Sequence, residues 1–322
     1  MILFKAMIAA GLLSCATAQA QVVAIATNTQ GSSFYSVGAA VAGVMQQKAA
    51  LPTRVQPMSG SSAYTPLVNR GQIEFGVLNS LYMANAYLGV ENFKDHSNPD
   101  LRLVGALFVV PIGIAVPGDS PAKSIKDLKG LRMPSQFTAQ TTMRIQQDAI
   151  LATGGLSTAD MKPFPVSDYL KGTSALGEGK VDAALACVGC GNGQEANIAL
   201  ASHGGMRFLP IPDTPEAQAA MHKLFPSAYT KMFEPSPALA GVVAPTRLMV
   251  YSGFLYTSTH VPADVVYRAT KAIYENMAML EAASPYMKTF DPKVMAEANT
   301  VPYHPGAERF FKEAKEWPPK KR

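Results

Sequence analysis

From Val22 onward the chain alternates short apolar runs with segments whose apolar residues recur at helical spacing. The first run, Val22 to Ala26, leads into polar and small residues at Gln30, Gly31, Ser32 and Ser33. Val37, Ala40, Val41, Val44 and Met45 then follow on one helical face. This predicts a strand, a loop and a helix. A small unit of the same kind occurs twice further on. A helix bearing Leu67 and Val68 stops at Arg70-Gly71 and the strand Q-I-E-F-G-V-L follows; a helix bearing Leu170 and Leu176 stops at Glu178-Gly179 and the strand K-V-D-A-A-L-A follows. In both, a glycine able to take positive φ ends the helix, and an apolar-acidic-apolar triplet opens a buried strand. Glu74 and Asp182, the acids of these triplets, read as parts of strand starts rather than as catalytic groups.

Strands and helices that alternate in this way favour parallel sheets covered by helices. Two long β-type stretches interrupt the alternation: L-R-L-V-G-A-L-F-V-V-P-I-G-I-A-V-P and A-P-T-R-L-M-V-Y-S-G-F-L-Y-T-S-T. Read as crossings between two lobes, they place residues 21–110 and 254–322 in one lobe and 111–253 in a second, inserted lobe. After the first crossing a short helix is expected, capped by Ser124 and closed by Gly130. After the second, a helix starting at Pro262 is expected to carry Val266, Ala269, Ile273 and Met277 on one face.

In open α/β sheets a ligand sits beyond the carboxyl ends of strands, where helix N-termini present unpaired N–H groups. The loops of this kind are Thr27 to Ser36, Met58 to Thr65, Met133 to Thr142 and Cys187 to Gln194. They are rich in Ser, Thr, Gln, Asn and Gly and almost free of charge. Such donors, with helix dipoles behind them, bind a carboxylate without a full counter-charge, and serve a neutral polar molecule equally well. The same Ser and Thr residues also serve as helix caps. Phe34 and Tyr35 open the first helix, where one ring is expected to stack on a ligand and the other to pack between helix and sheet; Tyr64 and Tyr82 are weaker candidates of the same type.

Composition narrows the picture. The first twenty residues carry Lys5, an apolar run and an A-Q-A ending, which reads as an export signal (residues 1–20) cleaved after Ala20. A rival site at Leu12-Leu13-Ser14-Cys15 would instead leave a lipid on Cys15. The chain has 28 Lys+Arg against 23 Asp+Glu, a mild excess spread along its length without a basic stripe, so no nucleic acid partner is expected. The tail K-E-W-P-P-K-K-R reads as a solvated end. Cys187 and Cys190 are the cysteines beyond the leader; in an exported chain the pair is expected as a disulfide, with a redox pair or half a metal site as alternatives. The histidines stand apart and no second C-x-x-C follows, so no metal is expected. No cofactor loop and no G-x-S-x-G or H-E-x-x-H motif is present, which lowers the odds of an enzyme.

The stretch A-T-N-T-Q-G-S-S-F-Y-S-V-G-A-A-V-A resembles the opening of TAXI solute receptors, the binding proteins of tripartite ATP-independent periplasmic (TRAP) transporters. S-G-S-S-A-Y-T-P-L-V-N-R-G-Q-I-E-F-G-V-L-N-S, S-I-K-D-L-K-G-L-R-M, G-E-G-K-V-D-A-A-L and Y-H-P-G-A-E-R-F-F-K-E continue the likeness in order. The resemblance implies a two-lobed type II periplasmic binding protein fold, each lobe a doubly wound sheet with flanking helices around a ligand cleft. It also implies a periplasmic monomer that captures a small solute, a carboxylate such as an amino acid, 2-oxo acid or dicarboxylate, for a TRAP permease in the membrane. A ligand sensor and an enzyme using Cys187 and Cys190 are the alternatives.

The family's first loop falls on Thr27 to Ser33 and its tyrosine pair on Phe34 and Tyr35. Its second loop falls on Ser59, Gly60, Ser61 and Tyr64, and its Q-S-D on Asn79-Ser80-Leu81. With the third loop, the candidate ligand-binding residues are Asn28, Thr29, Gln30, Gly31, Ser32, Phe34, Tyr35, Ser59, Ser61, Tyr64, Asn79, Ser135, Gln136, Thr138, Gln140 and Thr141. Asn28 and Thr29 stand where relatives have glycines, and Tyr64 where they have Asn, so a differently shaped pocket is expected.

Overall fold

The computed structural model describes residues 22–320. The proposed export signal, with Cys15, lies outside the described residues. The first half of the chain runs β1 (Val23–Thr27), α1 (Ser33–Lys48), β2 (Thr53–Pro57), α2 (Ser61–Asn69), β3 (Phe75–Asn79), α3 (Ser80–Leu88) and the long β4 (Leu101–Pro117). The second repeats that order with β5 (Arg132–Gln136), α4 (Thr142–Ala152), β6 (Lys162–Val166), α5 (Tyr169–Gly177), β7 (Ala184–Cys187) and α6 (Gly191–Ala199). It continues through β8 (Met206–Phe208), α7 (Pro215–Leu224) and β9 (Tyr229–Phe233) to the long β10 (Thr246–Ser258). Helices α8 (Ala263–Glu275), α9 (Met277–Ala283) and α10 (Pro305–Glu313) close the chain.

The main sheet has the order β2-β1-β3-β10-β4-β7, with β8 on β4 and β9 on β10. Strands β1, β2 and β3 are mutually parallel, whereas β10 runs antiparallel to β3 and to β4. The pairing changes along both long strands. Gly253 to Tyr256 of β10 face β3, while Thr246 to Val250 face β9; Ile112 to Ala115 of β4 face β7. The parallel pair β5-β6 adjoins the start of β7, where the Asp182 and Ala183 N–H groups donate to the Arg132 carbonyl at 2.9 and 3.3 Å. Strands β1 and β3 are buried throughout, as their unbroken apolar sequence requires. The outer strands β2 and β6 carry Pro57, Pro163 and Pro165, at edges where a missing N–H is tolerated; the central β4 also carries one, Pro111, opposite Val250 of β10.

The repeated unit is structural as well as sequential. The Gly71 N–H donates to the Val68 carbonyl and Gln72 N–H to that of Leu67; Gly179 N–H donates to Leu176 and Lys180 N–H to Ala175. Both sets form the Schellman pattern, and both glycines sit at φ +68°. The acids then act alike. A Glu74 carboxylate oxygen accepts from the Ala24 N–H at 2.8 Å, and an Asp182 carboxylate oxygen accepts from the Arg132 N–H at 2.8 Å. Each carboxylate thus satisfies a backbone donor at the first strand of its own half. Asp182 also grips the Arg132 guanidinium at 2.6 Å, which holds its carboxyl below the usual carboxylate range.

Some local expectations are corrected. The segment after Ser124 is a single 3-10 turn, Ile125–Leu128, held by a capping box with Asp127. Met277 is not on the face of α8: the Asn276 amide donates to the Ala272 carbonyl at 2.8 Å and ends that helix, so Met277 opens α9 and is partly exposed. The tail is pinned rather than loose. Trp317 packs edge-on to Tyr303 at 5.6 Å between centroids, and the Lys320 N–H donates to the Ala296 carbonyl. Buried aromatic area outweighs the flanking lysines there.

The two turn glycines give a testable contrast. At Gly179 a Cβ meets nothing within 4 Å, so Gly179→Ala is expected to cost only the left-handed strain, about 1 kcal/mol. At Gly71 a Cβ would stand 2.7 Å from the His260 Cβ, so Gly71→Ala is expected to cost clearly more. Urea midpoints of both variants check this order.

Candidate functional site

The three strand-to-helix junctions of the first half and the first three of the second open on one cavity of about 340 Å³. After β1, the Ser32 hydroxyl oxygen caps α1 by accepting from the Tyr35 N–H at 3.1 Å, and its own proton goes to the Thr29 carbonyl at 2.7 Å. Gly31, at φ +87°, turns the chain so that Asn28, Thr29, Ser33 and Phe34 reach the wall. After β2, Ser61 and Ser62 begin α2; after β3, Asn79 caps α3 by accepting from the Tyr82 N–H at 2.7 Å. In the second half, Gln136 and Phe137 take positive φ (67° and 49°) without being glycine, a strained turn that carries the chain into Thr138 to Met143 at the wall. The Gln140 side-chain oxygen accepts from the Tyr169 N–H at 3.1 Å and so ties this loop to the start of α5. After β7, Cys187 and Cys190 form a disulfide, with Cα atoms 5.6 Å apart, and Gly191 and Asn192 begin α6.

The halves meet around this cavity. Gly60 approaches so closely that a Cβ there would be 3.2 Å from the Ala139 carbonyl oxygen. The Ser227 hydroxyl donates to that of Ser80 at 3.0 Å, and the Gly191 backbone N–H stands near the Tyr286 hydroxyl, where it favours the phenolate. Val110, Ile112 and Tyr251, from the two long strands, form the floor.

Aromatic rings make up much of the wall, and each is held from behind. Phe34 packs edge-on to Phe108 at 5.3 Å, Tyr82 edge-on to Phe93 at 4.9 Å, and Tyr251 lies against Phe225 at 5.5 Å. The Tyr169 hydroxyl oxygen accepts from the Cys187 N–H at 2.6 Å. Among the described residues, no Asp, Glu, Lys, Arg or His side chain lines the cavity. Asp168, the nearest candidate in sequence, instead caps α5 and accepts from the Lys171 N–H. Three of the helices that point at the cavity, α1, α3 and α5, are capped by their own side chains; α2, α4 and α6 make no side-chain cap bond.

Of the residues expected from sequence, Asn28, Thr29, Gly31, Ser32, Phe34, Ser61, Asn79, Thr138, Gln140 and Thr141 lie at the wall, as do Cys187 and Cys190. The structure does not bring the others to it. Gln30, Ser59 and Gln136 are exposed, and Tyr35 points away toward Gln30, 3.5 Å from its amide. Ser135 is buried in β5. Tyr64 is fully buried behind the wall; its hydroxyl donates to the Val77 carbonyl at 2.8 Å and lies 3.2 Å from Asn28 Oδ1, so it positions Asn28 rather than meeting a ligand. Of the Phe34-Tyr35 pair, it is Phe34 that faces the cavity. Sequence reasoning missed Ser62, Met143, Tyr169, Leu170, Tyr251, Asn192 and Tyr286. The β6-α5 loop was readable, since it is the counterpart of the β2-α2 loop in the repeat; Tyr251 and Tyr286 gave no such signal.

Burial raises the phenols of Tyr82, Tyr169, Tyr251 and Tyr286 above their ordinary value of 10.0, so all are neutral donors near neutral pH. A raised folded-state pKa gives stability that is complete below the unfolded value and is lost as pH climbs toward the folded one. Stability to urea is therefore expected to be flat from about pH 7 to about pH 9 and to fall steeply above pH 10, in step with phenolate absorbance. Ionisation of these phenols below pH 10 in the native protein would overturn the assignment of neutral, desolvated donors.

Comparison with solved structures identifies the fold. The chain is 16% identical to a protein described as a periplasmic transporter, covering 92% of each chain with a TM-score of 0.54. It is 11% identical to a Xanthomonas citri protein solved with a bound chloride ion, covering 91% of this chain and 95% of that one with a TM-score of 0.51. At such identity the likeness establishes the fold, which is that of periplasmic binding proteins: mixed α/β, with a central mixed sheet and flanking helices. A protein-family model described as the NMT1-like family matches residues 25–314, from β1 into the end of α10 and so across both halves of the sheet. The chain belongs to the NMT1-like family.

Proposed function

We propose that this protein is an extracytoplasmic solute-binding protein that captures a small carboxylate and hands it to a membrane permease. The observation that carries this reading is the convergence of three strand-to-helix junctions from each half on one uncharged, hydrogen-bonding cavity. Residues 21–110 with 254–322 act as one lobe and residues 111–253 as the other. The changes of pairing partner along β4 and β10 fit that division. A ligand touching both lobes favours their closed arrangement, and the permease reads that arrangement. The permease is of the TRAP type, in keeping with the likeness of the first, second and last motifs to TAXI receptors; the protein works as a periplasmic monomer, without cofactor or turnover.

The carboxylate fits the starts of α2, α4 and α6, which make no side-chain cap bond and whose dipoles favour negative charge. A second reading, thiol-disulfide chemistry, draws on the position of the Cys187–Cys190 disulfide at the cavity. Both cysteines are only 6% exposed, which keeps a protein thiolate from in-line attack and favours a structural role that fixes the start of α6.

Calorimetry and thermal shift with a broad panel of small acids test the receptor reading. One compound is expected to bind once per chain and to stabilise the fold, by about 2.7 kcal/mol at a hundredfold excess over Kd. Replacing Cys187 and Cys190 by Ser is expected to leave binding detectable. If nothing in the panel shifts the unfolding transition, or if the compound is consumed, the receptor reading fails.

A further inference from the structure

The cavity wall is more specific than a generic polar site. Phe34, Tyr82 and Tyr251 line it, and each is backed on its far side by another ring (Phe108, Phe93 and Phe225), so their orientations are set before any ligand arrives. Tyr169 is fixed instead by the Cys187 N–H, and Tyr286 stands beside the Gly191 backbone of the same loop. Rings that cannot rotate present flat faces and edges at fixed spacing, which suits a planar apolar body by offset or edge-to-face packing.

Charge narrows the class further. An α-amino acid brings an ammonium group, which on desolvation needs a carboxylate or several acceptors. A dicarboxylate brings two anions, which on desolvation ordinarily need an Arg or Lys. The described lining offers neither sign. It does offer hydroxyls and helix starts in one region: Ser61 and Ser62 at α2 and Thr142 at α4, brought together where Gly60 meets Ala139. That region is enough for one carboxylate.

We infer that the ligand is an aromatic monocarboxylate without an ammonium group, its ring held among Phe34, Tyr82, Tyr251 and Tyr286 and its carboxylate at the starts of α2 and α4. This rests on the receptor reading above and narrows it.

The test uses the mature protein with benzoate, benzamide, L-phenylalanine and 2-oxoglutarate as probes in thermal shift and calorimetry. Benzoate is expected to stabilise the fold and to bind at least about tenfold more tightly than any of the other three. If 2-oxoglutarate or L-phenylalanine binds and benzoate does not, the aromatic inference is overturned while the receptor reading stands. If benzamide equals benzoate, the carboxylate assignment is overturned. If none of the four binds but another acid of the broad panel does, the inference alone falls; if nothing binds, both fall together. Phe34→Leu and, independently, Tyr286→Leu keep an apolar side chain but remove a ring. Each is expected to weaken benzoate about fivefold, with the unfolding midpoint of the free variant confirming that it folds. Unchanged benzoate affinity in both overturns the ring contacts.

Discussion

The antiparallel ladder between β4 and β10, from Leu101–Ser258 at one end to Ile112–Met249 at the other, is the constraint on which the rest depends. It is the longest of the pairings that join the two halves of the chain, and its two strands supply the cavity floor through Val110, Ile112 and Tyr251. Its register is not uniform: it shifts between Gly253 and Phe254 and again between Leu255 and Tyr256. Gly253 is required at the first shift, because a Cβ would lie 2.3 Å from the Phe108 ring. Phe108 in turn backs Phe34 at the cavity. A backbone detail of the ladder is therefore felt at the site through two aromatic rings, in an interior too well packed to absorb the displacement elsewhere.

The second organising fact is the repeat. Glu74 and Asp182 each satisfy a backbone donor at the first strand of their own half, and Gly71 and Gly179 each end the preceding helix in the same Schellman turn. Because the halves share the order strand-helix-strand-helix-strand-helix, each sends its helix N-termini toward the carboxyl ends of its own strands. The ladder then brings these ends face to face. A cavity lined by loops from both halves follows from that topology before any ligand chemistry is considered.

This explains what could be read from the sequence. Periodicity and punctuation show the long strands, the repeated unit and the polar loops, since each depends on local spacing. The buried Tyr64 was misplaced because residue type says only that a phenol needs a partner; here the partners are the Val77 carbonyl and the Asn28 side chain, beneath the loop. Ser32 and Asn79 lie at the wall, yet their oxygens are committed to capping α1 and α3. Sequence cannot divide those roles, as a cap and a ligand donor use the same side chains. Tyr286 is the harder case. It lies in a short 3-10 segment, Pro285–Thr289, far along the chain from every loop it joins, and only the tertiary fold brings it to Gly191.

An uncharged cavity also bears on how such a protein works. A fixed counter-ion strengthens binding, and most of that gain appears as slower dissociation. A receptor that must surrender its solute gains nothing from a residence time longer than its encounter with a permease. In the proposed receptor, rings and neutral donors held in place by Phe108, Phe93, Phe225 and the Cys187–Cys190 loop would secure selectivity through shape and fixed orientation instead. Among the described residues, the hydroxyl pair at Ser80 and Ser227 and the approach of Gly60 to Ala139 are contacts of the same modest kind across the cavity. A bond like that between Ser80 and Ser227 contributes about 1 kcal/mol, so in the proposed receptor it offers little resistance to opening.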